Sequence, residues 1–325
     1  MGGLVLFLFG VLQLANGVES LAGDRARRWL STWTAHPLTA VATGAVATTV
    51  LDSSSVTIIL VIALVNGGLL SFPQSLGVIM GANIGTTVSS QIFALEAETY
   101  APLVMAVGFA VMVAGHRSPR WRSLGLAVLG LGLVFFGLRF MGDAVAPLKG
   151  DPRVVEWMTG LEQPLVGVAA GTVLTVVLQS SSAMLGIVIT LAGQGLLTLP
   201  AGLAVMLGAE IGTCADTLVA SAGRSLAAVR AGLFHLLFNL TTVAIGLFLL
   251  HPLGVVAGML PGGDELPRQI ANAHVLFNVA GVALFLPFTS KVAAVLQRWL
   301  PDRQPSPRSR EVADDGTMVA DRAFD

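Results

Sequence analysis

Residues 44–87, GAVATTVLDSSSVTIILVIALVNGGLLSFPQSLGVIMGANIGTT, return 127 positions later as residues 171–214, GTVLTVVLQSSSAMLGIVITLAGQGLLTLPAGLAVMLGAEIGTC. The two stretches align without a gap, and 22 of the 44 pairs are identical. The register continues upstream, setting Leu6, Phe9, Gly10, Val18 and Leu21 on Leu133, Phe136, Gly137, Val145 and Leu148, and Pro37 on Pro164. The chain is therefore an internal duplication, which governs how every segment is read. Repeat one is expected over 1–122 and repeat two over 123–250, with 251–300 outside both and holding one extra transmembrane helix. The apolar segment at 3–21 lacks a basic leader and shares the repeat, so it is expected to be a structural helix and not a cleaved signal.

Composition places this duplication in lipid. Of 325 residues, 54% are apolar and 11% charged, and the mean hydropathy is +0.80. Soluble domains carry about 25% charged residues, so this chain has too few to clothe a water-exposed surface. The net charge of −1 and the absence of a Lys/Arg cluster exclude a nucleic-acid footprint. A single cysteine, Cys214, excludes an intrachain disulfide and a cysteine-based metal centre, and reads as a small buried filler.

A spanning helix needs about 20 apolar residues, which predicts crossings at 3–22, 75–95, 101–115, 125–148, 201–221, 231–250 and 269–290. The stretches 37–70 and 164–197 are each too long for one span and are interrupted by a polar cluster. They are expected to be re-entrant hairpins, because irregular polar backbone at membrane depth needs protein or a water-filled cavity around it. The fold class expected is thus an all-α polytopic membrane protein. Short cytoplasmic loops collect Lys and Arg, which puts 23–36, 116–122 and 222–230 inside and 96–100 and 149–163 outside. Each repeat then crosses three times, an odd number, so the repeats are expected to be inverted. The N-terminus is expected outside, and 301–325 is expected to be a disordered cytoplasmic tail. Trp29, Trp33, Trp121, Trp157 and Trp299 fall at predicted helix ends, as an interfacial belt requires.

Inverted repeats with broken elements place a binding site at the breaks, near the midplane. The first pair of breaks is Asp52, Ser53, Ser54, Ser55 and Gln179, Ser180, Ser181, Ser182. An unpartnered hydroxyl or amide in apolar surroundings costs about 2 to 7 kcal/mol, so two matched polar quartets call for a polar ligand. Hydroxyls and the free N–H groups that begin the following helix suit an oxyanion, with the hydroxyl lone pairs turned to a cation. The second pair of interruptions, Gly81–Thr87 and Gly208–Cys214, has glycines at both ends and Asn83, Thr86, Thr87 and Thr213 between or beside them. Unwound there, the backbone would expose carbonyls and the side chains would add hard oxygen ligands, which points to sodium. Close small-residue helix packing is the alternative for the same glycines.

Two serine quartets, each followed about 28 residues later by a GANIGTT-like stretch, resemble the type II sodium-dependent phosphate cotransporters and their bacterial relatives over residues 1–290. The resemblance implies two inverted repeats with re-entrant hairpins and import of inorganic phosphate with sodium as the coupling ion, without a further cofactor or metal. It implies that Gln179, Ser180, Ser181, Ser182, Ser53, Ser54 and Ser55 line the phosphate and sodium sites, with Asn83, Thr86, Thr87 and Thr213 on the sodium side. Asp52 stands where the family has Gln, and Glu210 where the second repeat often has Asn. Each carboxylate would repel an anion and attract a cation, so both are assigned to sodium, with proton coupling or another oxyanion as the alternative.

Other polar residues are read more plainly. Arg139 and Asp143 are spaced for a pair on one helix face. His235 with Asn239, and His274 with Asn278, sit four apart on one face and read as interhelical glue. An intramembrane serine hydrolase is disfavoured, since no Gly-x-Ser-x-Gly element surrounds either quartet, and the short tail argues against a phosphate sensor. The expected partners are inorganic phosphate, sodium and the lipid bilayer, with no enzyme activity; the oligomeric state is open.

Overall fold

The computed structural model describes residues 2–32 (backbone only from 22), 34, 36–95 and 97–301. Fifteen α-helices are described: α1 Gly2–Thr32, α2 Pro37–Leu51, α3 Ser54–Asn66, α4 Phe72–Phe93, α5 Ala101–Ala114, α6 Pro119–Val145, α7 Pro152–Gly160, α8 Pro164–Leu178, α9 Ser181–Gly193, α10 Leu199–Gly212, α11 Cys214–Ser221, α12 Leu226–Phe248, α13 Leu250–Gly258, α14 Leu266–Phe285 and α15 Thr289–Trp299. No strand occurs among the described residues, and the chain is an all-α polytopic membrane protein. Six described helical segments are long and apolar enough to cross a bilayer. The expected crossing at 75–95 is α4, which is 22 residues long but carries Asn83, Thr86, Thr87, Ser89 and Ser90 on buried faces. It is an interior helix, too polar for lipid.

The two long interrupted stretches each form two short helices, α2 with α3 and α8 with α9. At about 1.5 Å per residue none of these four is long enough to cross alone. Two loop expectations and one side-chain pairing are corrected. The helix that begins at Gly2 continues through the basic segment to Thr32 rather than ending near 22. The segment 149–163 contains α7, bent 98° away from α8, because Pro152 and Pro164 each start a helix and the residues between cannot continue one. Arg139 and Asp143 are both exposed on α6 and make no ion pair, so the spacing permits a contact that the side chains do not form. The basic side chains of 25–28, and 302–325 of the tail, lie outside the described residues.

Glycine decides the helix packing. A Cβ on Gly44 would lie far inside contact distance of the Val78 carbonyl oxygen, and one on Gly81 of the Val41 oxygen, which locks α2 against α4. The mates Gly171 and Gly208 meet the Val205 and Val168 oxygens and lock α8 against α10 in the same way. This corrects the expectation that 81–87 unwinds: α4 runs unbroken through it, and α10 yields only at Thr213 before α11 begins. Tight backbone approach, not unwinding, is what these glycines serve.

A second unit is built from α1, α5 and α6. Partners of Gly3, Gly10 and Gly17 on α1 descend along α6 from Met141 through Val134 to Ala127, so the two helices run antiparallel. Gly10 faces Val134 while Gly137 faces Phe7, and Gly3 faces Met141 while Gly130 faces Leu14. Shifting either contact by 127 residues and exchanging partners produces the other. The second arms of the hairpins cross over: α3 packs on α11, and α9 packs on α4. The cores beneath them are apolar, with Ile58, Val61 and Ile62 of α3 and Leu185 and Val188 of α9 fully or almost fully buried.

Candidate functional site

Both hairpins break in the same way. Asp52 has φ 50°, ψ 28° and Gln179 φ 54°, ψ 27°, and these are the only non-glycine residues of positive φ among the described residues. Left-handed backbone at a non-glycine residue is uncommon, costs about 1 to 3 kcal/mol and persists where surroundings enforce it. Ser53 and Ser180 then return to extended backbone, with φ near −157° and −156°. Their hydroxyls cap the next helix by accepting from Val56 N at 3.2 Å and Ala183 N at 3.1 Å. A left-handed stop followed by a serine cap thus ends one helix and starts another within two residues.

The remaining quartet residues divide into engaged and free groups. Ser55 Oγ donates to Asp216 Oδ2 at 3.3 Å, joining hairpin one to α11 of repeat two. Ser89 Oγ, on α4, donates to Asp52 Oδ1 at 2.5 Å. The hydroxyls of Ser54, Ser181 and Ser182 and the amide of Gln179 make no hydrogen bond among the described residues, although all three serines are buried. Asp52 Oδ2, and the hydroxyls of the repeat mates Thr48 and Thr175 one turn before each break, are fully buried without a partner. A polar atom left so costs about 1 to 3 kcal/mol, and the free oxygens gather beside both breaks.

The residues assigned to sodium from sequence are placed less uniformly. Asp52 is at the break with one free carboxylate oxygen. Thr86, Thr87 and Thr213 are buried and donate to carbonyls of their own helices, those of Ala82, Ile84 and Glu210. Asn83 donates to Asn239 Oδ1 at 2.6 Å. Glu210, only 6% exposed, accepts from Asn278 Nδ2 at 2.9 Å and pairs with His274 Nε2 at 2.8 Å. The Glu210 carboxyl group thus meets two polar side chains, one turn apart on α14. That is how a carboxyl group is accommodated at this depth.

The His and Asn pairs do act as interhelical glue. Cys214 is buried as expected and also accepts from Asn239 Nδ2 at 3.2 Å. Ser89 and Asp216 are not among the residues assigned to the site from sequence. The signal was present, because the 127-residue offset sets Ser89 on Asp216, and both turn out to hold hairpin one.

These features define a polytopic helical membrane protein with a polar break in each copy of a duplicated unit. The chain belongs to the Na+/Pi-cotransporter family, whose sequence pattern matches residues 6–143 and 150–286. It is 30% identical over 302 residues to the uncharacterised protein YqeW of Bacillus subtilis, covering 92% of this chain and 96% of that one. It is 26% identical over 298 residues to YjbB of Escherichia coli K12, a protein named for inorganic phosphate export; the match covers 90% of this chain but 54% of YjbB. Human sodium-dependent phosphate transport protein 2C is 35% identical over 146 residues, 42% of this chain and 22% of that protein. No solved structure matches the chain.

Proposed function

We propose that this protein is a secondary active transporter that moves inorganic phosphate across the membrane together with sodium. The observation that carries the reading is the mirrored pair of breaks, each presenting partnerless hydroxyls at the start of a 13-residue helix. The first N–H groups of α3 and α9, with the helix dipoles behind them, favour an oxyanion. Ser54, Ser55, Gln179, Ser181 and Ser182 bind phosphate in this reading, while Ser53 and Ser180 shape the turns. Sodium binds beside Asp52, where Oδ2 and the Thr48 hydroxyl offer free hard oxygens. A cation there cancels the charge that an arriving anion meets, which makes the two solutes bind better together than apart.

Inverted topology belongs to the same proposal. It is supported by the antiparallel α1–α6 contacts that exchange under the repeat offset, and by the crossed packing of α3 on α11 and α9 on α4. In this reading the N-terminus is outside, the tail is cytoplasmic, and the hairpin unit rocks against the α1–α5–α6 unit to open the site to either side. Net direction follows the gradients.

Proteoliposomes are expected to accumulate labelled phosphate with an inward sodium gradient and to stop when choline replaces sodium. Equal uptake in choline would overturn sodium coupling. The carboxylate at Asp52 favours proton coupling as the second reading, and a proton gradient driving uptake in choline would establish it. Asp52→Gln is expected to fold normally but to need several-fold more sodium for half-maximal uptake; an unchanged sodium curve would remove Asp52 from the site.

A further inference from the structure

His235 and His274 occupy the same pattern, His-x-Leu-Phe-Asn, 39 residues apart on α12 and α14. Both are fully buried, and their surroundings are related by the 127-residue offset. His274 Nδ1 lies 2.8 Å from Ser90 Oγ, and His235 Nδ1 lies 2.8 Å from the hydroxyl of Thr217, the repeat mate of Ser90. Asn278 donates to Glu210, and Asn239 accepts from Asn83, the repeat mate of Glu210. Helix α14, outside both repeats in sequence, therefore matches α12 in its contacts.

Between the two imidazole rings the match fails at one atom. His274 Nε2 pairs with Glu210 at 2.8 Å, whereas His235 Nε2 is buried without a partner. His274 thus has one ring nitrogen on α4 of repeat one and the other on α10 of repeat two. Its neighbours on the two sides lead straight to the candidate site. Ser90 follows Ser89, which holds Asp52; Glu210 lies six residues before Asp216, which accepts from Ser55. Among the described residues, the His235 side chain hydrogen-bonds only to Thr217, within repeat two.

We propose that His274 is a positioning residue that couples the two repeats. Any shift of α4 against α10 must break a buried hydrogen bond at one of its nitrogens, so ordering one hairpin helps to order the other. Its effect on transport rests on the function proposed above, but the mechanical link does not.

The experiment has two arms. In the first, Ser90→Ala and Glu210→Gln are combined in the full chain and read as shifts in Tm, with His274 intact and in His274→Ala. Non-additive shifts that become additive in His274→Ala are expected, since additivity holds for sites without a shared partner. Additive shifts with His274 intact would overturn the proposal. The second arm compares two matched substitutions. His274→Asn puts an amide nitrogen in the place of Nδ1 beside Ser90 and loses the Glu210 contact, whereas His235→Asn loses only the partnerless edge. His274→Asn is expected to reduce the sodium-induced gain in phosphate affinity about fivefold or more, at the lower end of ordinary coupling, while His235→Asn leaves it unchanged. Wild-type coupling in His274→Asn, or equal losses in both variants, would also overturn the proposal. Absence of sodium-dependent uptake in the wild type would sink the function proposed above, with the Tm cycle still deciding the link.

Discussion

Gly81→Ala and Gly208→Ala should each prevent recovery of a monodisperse, folded protein. The added methyl group would sit well inside contact distance of a backbone oxygen, that of Val41 in the first case and of Val168 in the second. No flexible side-chain tip stands there to swing away; α2 or α8 as a whole must move. Overpacking a tight core commonly costs about 1 to 3 kcal/mol and sometimes more. A rigid helix pair, held by a second glycine approach at Gly44 or Gly171, leaves the upper end of that range as the expectation. Because α2 and α8 carry the breaks at their ends, any displacement also misplaces Asp52 or Gln179. Size-exclusion chromatography and thermal unfolding in detergent check the point, with Gly150→Ala as the control, since a methyl there meets nothing within 4 Å. A wild-type Tm in Gly81→Ala would show that the helices have slack this packing denies.

Ser181→Ala and Ser54→Ala are expected to remove phosphate uptake at concentrations near the wild-type KM while leaving Tm unchanged. Both serines are the first residue of their helix, both are buried, and neither hydroxyl has a partner among the described residues. Removing such a group costs the folded protein little, because no internal hydrogen bond is lost. A bond from it to a charged ligand is worth about 1.5 to 3 kcal/mol, or roughly tenfold to a hundredfold in affinity. Their immediate neighbours should behave in the opposite sense. Ser53→Ala and Ser180→Ala delete the helix caps on Val56 and Ala183, a loss of about 0.5 to 2 kcal/mol that appears as a lower Tm. Phosphate titration of uptake beside thermal melts separates the two classes. A fall in Tm for Ser181→Ala with unaltered KM would assign its hydroxyl to the fold and remove it from the site.

The duplication made much of this legible in advance. Apolar run lengths located six of the seven expected crossings, 75–95 being the exception, and the polar quartets located both breaks to the residue, because a left-handed stop and a serine cap are local chemistry. The 81–87 stretch shows the limit of such reading. Glycines permit either an unwound backbone or a close neighbour, and only the presence of Val41, Ala45 and Thr48 across the interface selects the second. Arg139 and Asp143 fail for a related reason, since spacing on a helix states what is possible and not what two exposed side chains do.

By itself the sequence determined a bilayer protein of two related halves with a polar interruption in each, since hydropathy, repeat register and capping residues act over a few turns of chain. Which polar groups remain free was settled only by the tertiary structure. Glu210 and Asn83 occupy equivalent positions, yet one faces a histidine and an asparagine from α14 and the other an asparagine from α12. Those partners lie 64, 68 and 156 residues away. Hydrogen bonds reach about 3 Å, so which groups are spent and which remain for a ligand depends on helices that meet only once the chain is folded.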